Sequence, residues 1–229
     1  MDFEPFSAAH YSALGAAGIF FAIIIACRKY LRRPKPNRIA RASLAVVLLA
    51  SEASLQLSYV LAGSWGVESL PFQLCSLMVL LSAVVMLANR KRLYGLVFFL
   101  GTLGALQALL TPSLNEGFPH FRYFHFFAAH IAIIGAAVFL LAVERYRPTI
   151  RSVIGALLGL HALAVPAAIA NALTGTTNFM FLARKPDTAS LLDLLAPWPW
   201  YLLQLELVAF AMCMLLWGAV RLASHTYGK

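Results

Sequence analysis

Seven apolar stretches, near residues 10–27, 42–62, 70–88, 93–111, 124–143, 152–171 and 199–219, constrain this chain more than any motif does. Each runs for roughly 18–21 residues, enough at about 1.5 Å of rise per residue to cross a hydrocarbon core of about 30 Å. In hydrocarbon a single apolar segment satisfies its own N–H and C=O groups only as a helix. The expected fold is therefore all-α: a polytopic membrane protein built as a bundle of seven transmembrane helices, one integral membrane domain over residues 1–229. With 61% of the residues hydrophobic and 12% charged, the spans leave no room for a soluble domain.

Charge orients the bundle. Fifteen of the 18 lysines and arginines fall in the first, third and fifth connections and the C-terminal tail. Only Arg122, Arg184 and Lys185 lie in the alternate loops. The positive-inside bias then predicts an outside N-terminus and a cytoplasmic C-terminus. A net charge of +9 in a soluble chain suggests nucleic acid; here it is the topology signal and an attraction to anionic lipids of the inner leaflet, and no nucleic-acid partner is expected. The first nine residues, MDFEPFSAA, lack the basic region of a signal peptide, so the first span is expected to be retained. Three cysteines without a CxxC, placed at different depths, predict free thiols.

Polar residues within the spans are one-sided. His10, Gln56, Tyr59, Gln73, Cys75, Gln107, Thr111, His125, His130, Asn171, Gln204 and Glu206 fall toward the face opposite the basic loops, with Glu52 and His161 near mid-depth. Intramembrane polar groups are expensive and mark function. A one-sided set predicts a pocket open to one face, and the apolar remainder argues against a transporter. No repeat relates the halves of the chain, as it does in many transporters.

Cys75, in the run LPFQLCSL (70–77), and His130, in FPHFRYFHFFAAH (118–130), carry the chemical reading. A thiol beside an imidazole can act as nucleophile and base toward an acyl carbonyl; the alternative is a small buried hydrophobe near a hydrogen-bonded core histidine. His125 and His130 are five residues apart, about 140° around a helix, so only one can point squarely at Cys75. Glu52, Gln56 and Tyr59 stack on one helical face, where they would either orient and charge-stabilise the histidine or clamp two helices together. Gln73, Gln107 and Asn178 are candidate oxyanion donors. His10 reads as interfacial and His161 as a satisfied core histidine. No HxxxH or HExxH spacing occurs, so neither a metal site nor a cofactor is expected. The long connection 172–198, with its apolar run 178–183, reads as a lid over the pocket, with a Pro-rich surface linker as the alternative.

LPFQLCSL, FPHFRYFHFFAAHIAII (118–134), NFMFLARKP (178–186) and LLDLLAPWPWYLLQLE (191–206) together resemble the bacterial YwaF-like integral membrane family, related to transmembrane protein 164 of eukaryotes. The similarity runs from about His10 to Glu206, departing at Phe179, where tyrosine is expected, and at Ala196, where glycine is usual. The resemblance implies a lipid enzyme: the eukaryotic relative is an acyltransferase working through a cysteine whose surroundings are similar to those of Cys75. More distant intramembrane hydrolases of fatty-acid esters use a histidine that His130 resembles.

The sequence therefore predicts a multi-pass protein of the bacterial cytoplasmic membrane acting as a lipid acyltransferase or acyl hydrolase. Its partners would be membrane lipids, a phospholipid acyl donor and a lysolipid acceptor. A non-enzymatic lipid-binding or sensor protein using the same pocket is the rival.

Overall fold

The computed structural model describes residues 2–186 and 191–226. Helix α1 spans Ala8–Ala26, α2 Pro34–Leu61 and α3 Leu74–Ala88. The fourth apolar stretch, Lys91–Leu110, forms α4, which is π-helical over Val97–Gly101 and α-helical again over Thr102–Leu110. Helix α5 spans Phe121–Ala142, α6 Ile150–Thr174 and α7 Trp200–Thr226. The described residues contain no strand beyond one isolated bridge, Asp2 to Glu116, so the protein is an all-α, multi-pass membrane protein.

Two spans differ from their sequence expectation. Six of the helices are long and apolar enough to cross a membrane, whereas α3 has only 15 residues, about 22 Å of rise. The expected start at residue 70 fails because Pro71 biases Leu70 to extended backbone, the Phe72 amide then closes a tight turn on the Leu70 carbonyl (2.8 Å), and Gln73, extended again, is the N-cap. Conversely, α2 starts eight residues before the apolar stretch. Pro34 suits a first helical turn, and the long stems of the exposed Lys35 and Arg38 let charged heads leave a helix that continues past the apolar stretch.

Helix α5 is the hub: 67% of its apolar window is buried, against 6% for α7. It packs against α1, α2, α3 and α4, while α7 meets mainly α6. The small residues of AAHIAIIGAA allow this crowding; a Cβ on Gly135 would stand 2.5 Å from the Phe20 ring of α1.

The basic residues also finish the helices. Arg41 of α2 is buried and donates through Nε to the Met86 carbonyl (2.8 Å) and through Nη2 to that of Val85 (3.2 Å), at the end of α3. Arg32 donates to the Ala142 carbonyl (2.6 Å) at the end of α5, and Arg28 to Ile25 (2.8 Å) at the end of α1. Cationic side chains thus sit on last-turn carbonyls at the negative ends of three helix dipoles. Desolvation, with Arg145, Arg28 and Arg147 nearby, holds Arg32 below the ordinary arginine value.

Candidate functional site

At the face opposite the basic loops, the entry to α3 is built by α2. Gln56 donates to Glu52 Oε1 (2.9 Å) one turn below and to the Ser69 carbonyl (2.8 Å), and accepts from Trp65 Nε1 (3.0 Å). The 3-10 turn Val67–Ser69 is thereby tied to α2 just before Leu70–Gln73 leads into the helix of Cys75. Glu52 is buried, and no hydrogen bond joins it to a histidine among the described residues. Gln56 therefore ties α2 to the 3-10 turn ahead of α3. The Tyr59 carbonyl closes the adjoining turn by accepting from the Ser64 amide (3.0 Å).

The connection after α6 folds back onto the same entry. Asn171, buried, donates to the Phe179 carbonyl (3.1 Å) and accepts from the Phe179 amide (2.8 Å) and the Thr177 hydroxyl (2.9 Å). Phe179 is 1% exposed and packs edge-on against Phe72. The Met180 amide donates to Gln73 Oε1 (3.0 Å), and the Tyr201 hydroxyl donates to the Phe181 carbonyl. Met180 and Phe181 hold positive φ, 55° and 54°, which non-glycine residues adopt only when surroundings over-determine them. Gln73 and Asn178 line one cavity of about 320 Å³, together with Glu68, Ser113 and Arg184. Asp187 and the segment 188–190 of the proposed lid lie outside the described residues.

Cys75 is the second residue of α3, half-buried, and like Cys27 and Cys213 it is a free thiol. His130 lies on α5, which packs against α3, and is 7% exposed. Its Nδ1–H donates to the Phe126 carbonyl one turn above (2.7 Å), so Nε2 carries the lone pair and has no partner among the described residues. No hydrogen bond joins Cys75 to His130; counted from their helix starts they differ by eight residues, about 12 Å of rise if the ends are level. His125 is partly buried, its Nδ1 unpartnered and its ring against the Ser51 backbone of α2. The guanidinium of Arg122 lies within electrostatic reach of both histidines, and its Nη1 is buried without a hydrogen bond. Arg122 entered the sequence reading only as a loop charge. A cation directly ahead of an aromatic–histidine run was the signal for more.

Gln107 is exposed; its carbonyl accepts from Thr111 (3.0 Å through Oγ1), closing the end of α4. Two other residues depart from their expected setting. His10 is fully buried, not interfacial: Nδ1 accepts from the Phe6 amide (2.9 Å), so Nε2–H donates to the Leu109 carbonyl (2.8 Å) and pins α1 to α4. His161 is not a core residue: its side chain is 62% exposed and pairs with Glu206 (3.4 Å), joining α6 to α7. Periodicity could not reveal either, since burial depends on which neighbour covers the face.

Among the described residues no group of three or more His, Cys, Asp or Glu side chains could hold a metal ion. The sequence profile of the TMEM164 family matches residues 5–217. An uncharacterized protein of Treponema pallidum (strain Nichols) is 26% identical over 215 residues, covering 93% of this chain and 87% of that protein. No solved structure matches the chain. The profile takes in α1 to α6, the folded-back connection and most of α7, so the chain belongs to the TMEM164 family.

Proposed function

We propose that this protein moves fatty acyl groups between lipids, or releases them to water, through a thioester on Cys75. His130 Nε2 takes the thiol proton as sulfur attacks the ester carbonyl of a phospholipid. Collapse of the tetrahedral intermediate breaks the ester C–O bond, and the lysolipid alkoxide leaves with the proton from His130. A lysolipid hydroxyl, or water, then attacks the thioester, gives its proton to His130 and regenerates the thiol. Gln73 and Asn178 are the candidate donors to the oxyanion. The working orientation places the N-terminus and the pocket outside, in a bacterial cytoplasmic membrane.

The observation that carries this reading is the state of His130: a buried imidazole with its tautomer set by Phe126 and Nε2 free, on a helix packed against that of an unpaired thiol. A histidine serving only as packing would have both nitrogens satisfied, as His10 does. Intact-mass spectrometry of the purified protein tests it. An acyl adduct removed by hydroxylamine is expected on the wild type and absent from Cys75→Ala. Cys75→Ala and His130→Ala should each abolish transfer, and the double variant should be no worse than either single, because groups acting in one step are non-additive. Full lipid remodelling by Cys75→Ala in reconstituted membranes would refute the mechanism.

One observation favours the rival, lipid binding without chemistry: no hydrogen bond links Cys75 to His130. That reading expects no adduct and tolerance of Cys75→Ser.

A further inference from the structure

An apolar groove of about 390 Å³ opens between α1, α2 and α5, lined by Phe20 and Ile24, by Leu44 and Val47, and by Ala132 and Phe139. Its volume falls within the ~300–1,000 Å³ usual for ligand sites. Its upper end lies one helical turn below a polar cluster: Val47 is four residues from Ser51 on α2, and Ala128, which also lines it, is three from His125 on α5. In that cluster two buried polar atoms lack hydrogen bonds, Arg122 Nη1 and His125 Nδ1. Arg122 and His125 are three residues apart on α5 and so share a face. The single ion pair among the described residues, His161 with Glu206, involves neither.

We infer that this arrangement is a binding site for one phosphate-bearing lipid, its phosphoryl oxygens on Arg122, beside His125, and an acyl chain in the groove below. A buried guanidinium nitrogen without an acceptor is costly, and a phosphate supplies acceptors in the geometry a guanidinium fits. From His125 to Phe139 is about 21 Å of helical rise, more than half of a ~30 Å hydrocarbon core, which suits a single chain of one leaflet. The inference rests on the reading of the polar face as a phospholipid site; it assigns the residue that meets the phosphate and the groove that takes the chain. It does not depend on a thioester.

The test is lipid titration of the delipidated, detergent-purified full chain by native mass spectrometry, in a Cys75→Ala background where no adduct can form. The probes are phosphatidylglycerol, diacylglycerol with the same chains, and inorganic phosphate. Phosphatidylglycerol should bind one per chain and at least tenfold tighter than diacylglycerol. Arg122→Gln should remove that preference and Arg122→Lys should restore part of it. Ala132→Phe, which fills the groove without touching the cluster, should weaken both lipids. Equal binding of the two lipids, or an unchanged preference in Arg122→Gln, would overturn the inference. Inorganic phosphate binding as well as phosphatidylglycerol would make this a free-anion site and overturn the lipid assignment. An acyl adduct on wild-type Cys75 would stand or fall separately, so the two failures are distinguishable.

Discussion

A histidine ring has two nitrogens to satisfy, and the histidines inside this bundle do so in different ways. His10 uses both, on the Phe6 amide and the Leu109 carbonyl. His161 uses one on its own helix, at Leu157 (2.8 Å), and turns the other to Glu206. His130 uses one on its own helix and keeps Nε2 free, and His125 keeps Nδ1 free. On the proposed mechanism the split separates structural from chemical roles, and this can be measured. His10→Ala leaves a buried amide and a buried carbonyl unpaired, and each such group costs about 1–3 kcal/mol. A clearly lower thermal midpoint in detergent is expected for it, with any surviving folded protein still forming the Cys75 adduct. His130→Ala should show the reverse: adduct lost, midpoint nearly held. Equal destabilisation by the two would return His130 to the core.

At the scale of elements, helix ends are finished by residues distant in sequence. Arg41 belongs to α2 but closes the carbonyls of Val85 and Met86 on α3. Arg41→Met should destabilise the protein by roughly 3 kcal/mol or more, since it loses two bonds from a charged donor, each worth about 1.5–3. Arg38→Met, on the exposed side of the same helix, should be near neutral; comparison of their denaturation midpoints checks this. The folded-back connection depends similarly on Asn171. Asn171→Ala removes all three of its hydrogen bonds to Thr177 and Phe179, and should release the 177–182 turn from Phe72 and Gln73. Amide exchange at Phe179 should rise by orders of magnitude while the amides of α5 stay protected. Unchanged exchange at Phe179 would mean that Phe72 packing alone holds the turn.

The whole molecule has two unlike faces. Arginines at one face cap α1, α3 and α5, and the amide and carboxamide clamps gather at the other. Asymmetry of this kind predicts orientation. An impermeant thiol reagent added to intact cells should label a cysteine introduced at Asn115, whose carbonyl accepts from the Phe3 amide, and should miss one at Lys91. The opposite pattern would invert the protein and move the proposed pocket to the cytoplasmic side. Cysteines at Met78 and Ala136, both at most 1% exposed, should resist reagent from either side.

Hydrophobic length alone determined the class of fold, because a chain in hydrocarbon has no other way to satisfy its backbone. The residues that made a lipid site plausible were also legible, since Cys75, His125 and His130 are costly polar groups in apolar runs. Helix limits were less so: hydropathy places neither the extended entry to α3 set by Pro71 nor the basic first turns of α2. Burial and partnership were decided by tertiary structure only. Whether His10 met water or a carbonyl depended on where α4 ended, 99 residues away. Whether Arg122 was a loop charge or a helix residue with a covered guanidinium nitrogen depended on how the packing of α5 left its Nη1 buried and unpartnered. Periodicity reports which face of a helix is apolar, whereas the hydrogen bonds that complete a polar side chain come from segments that only the packed bundle brings near.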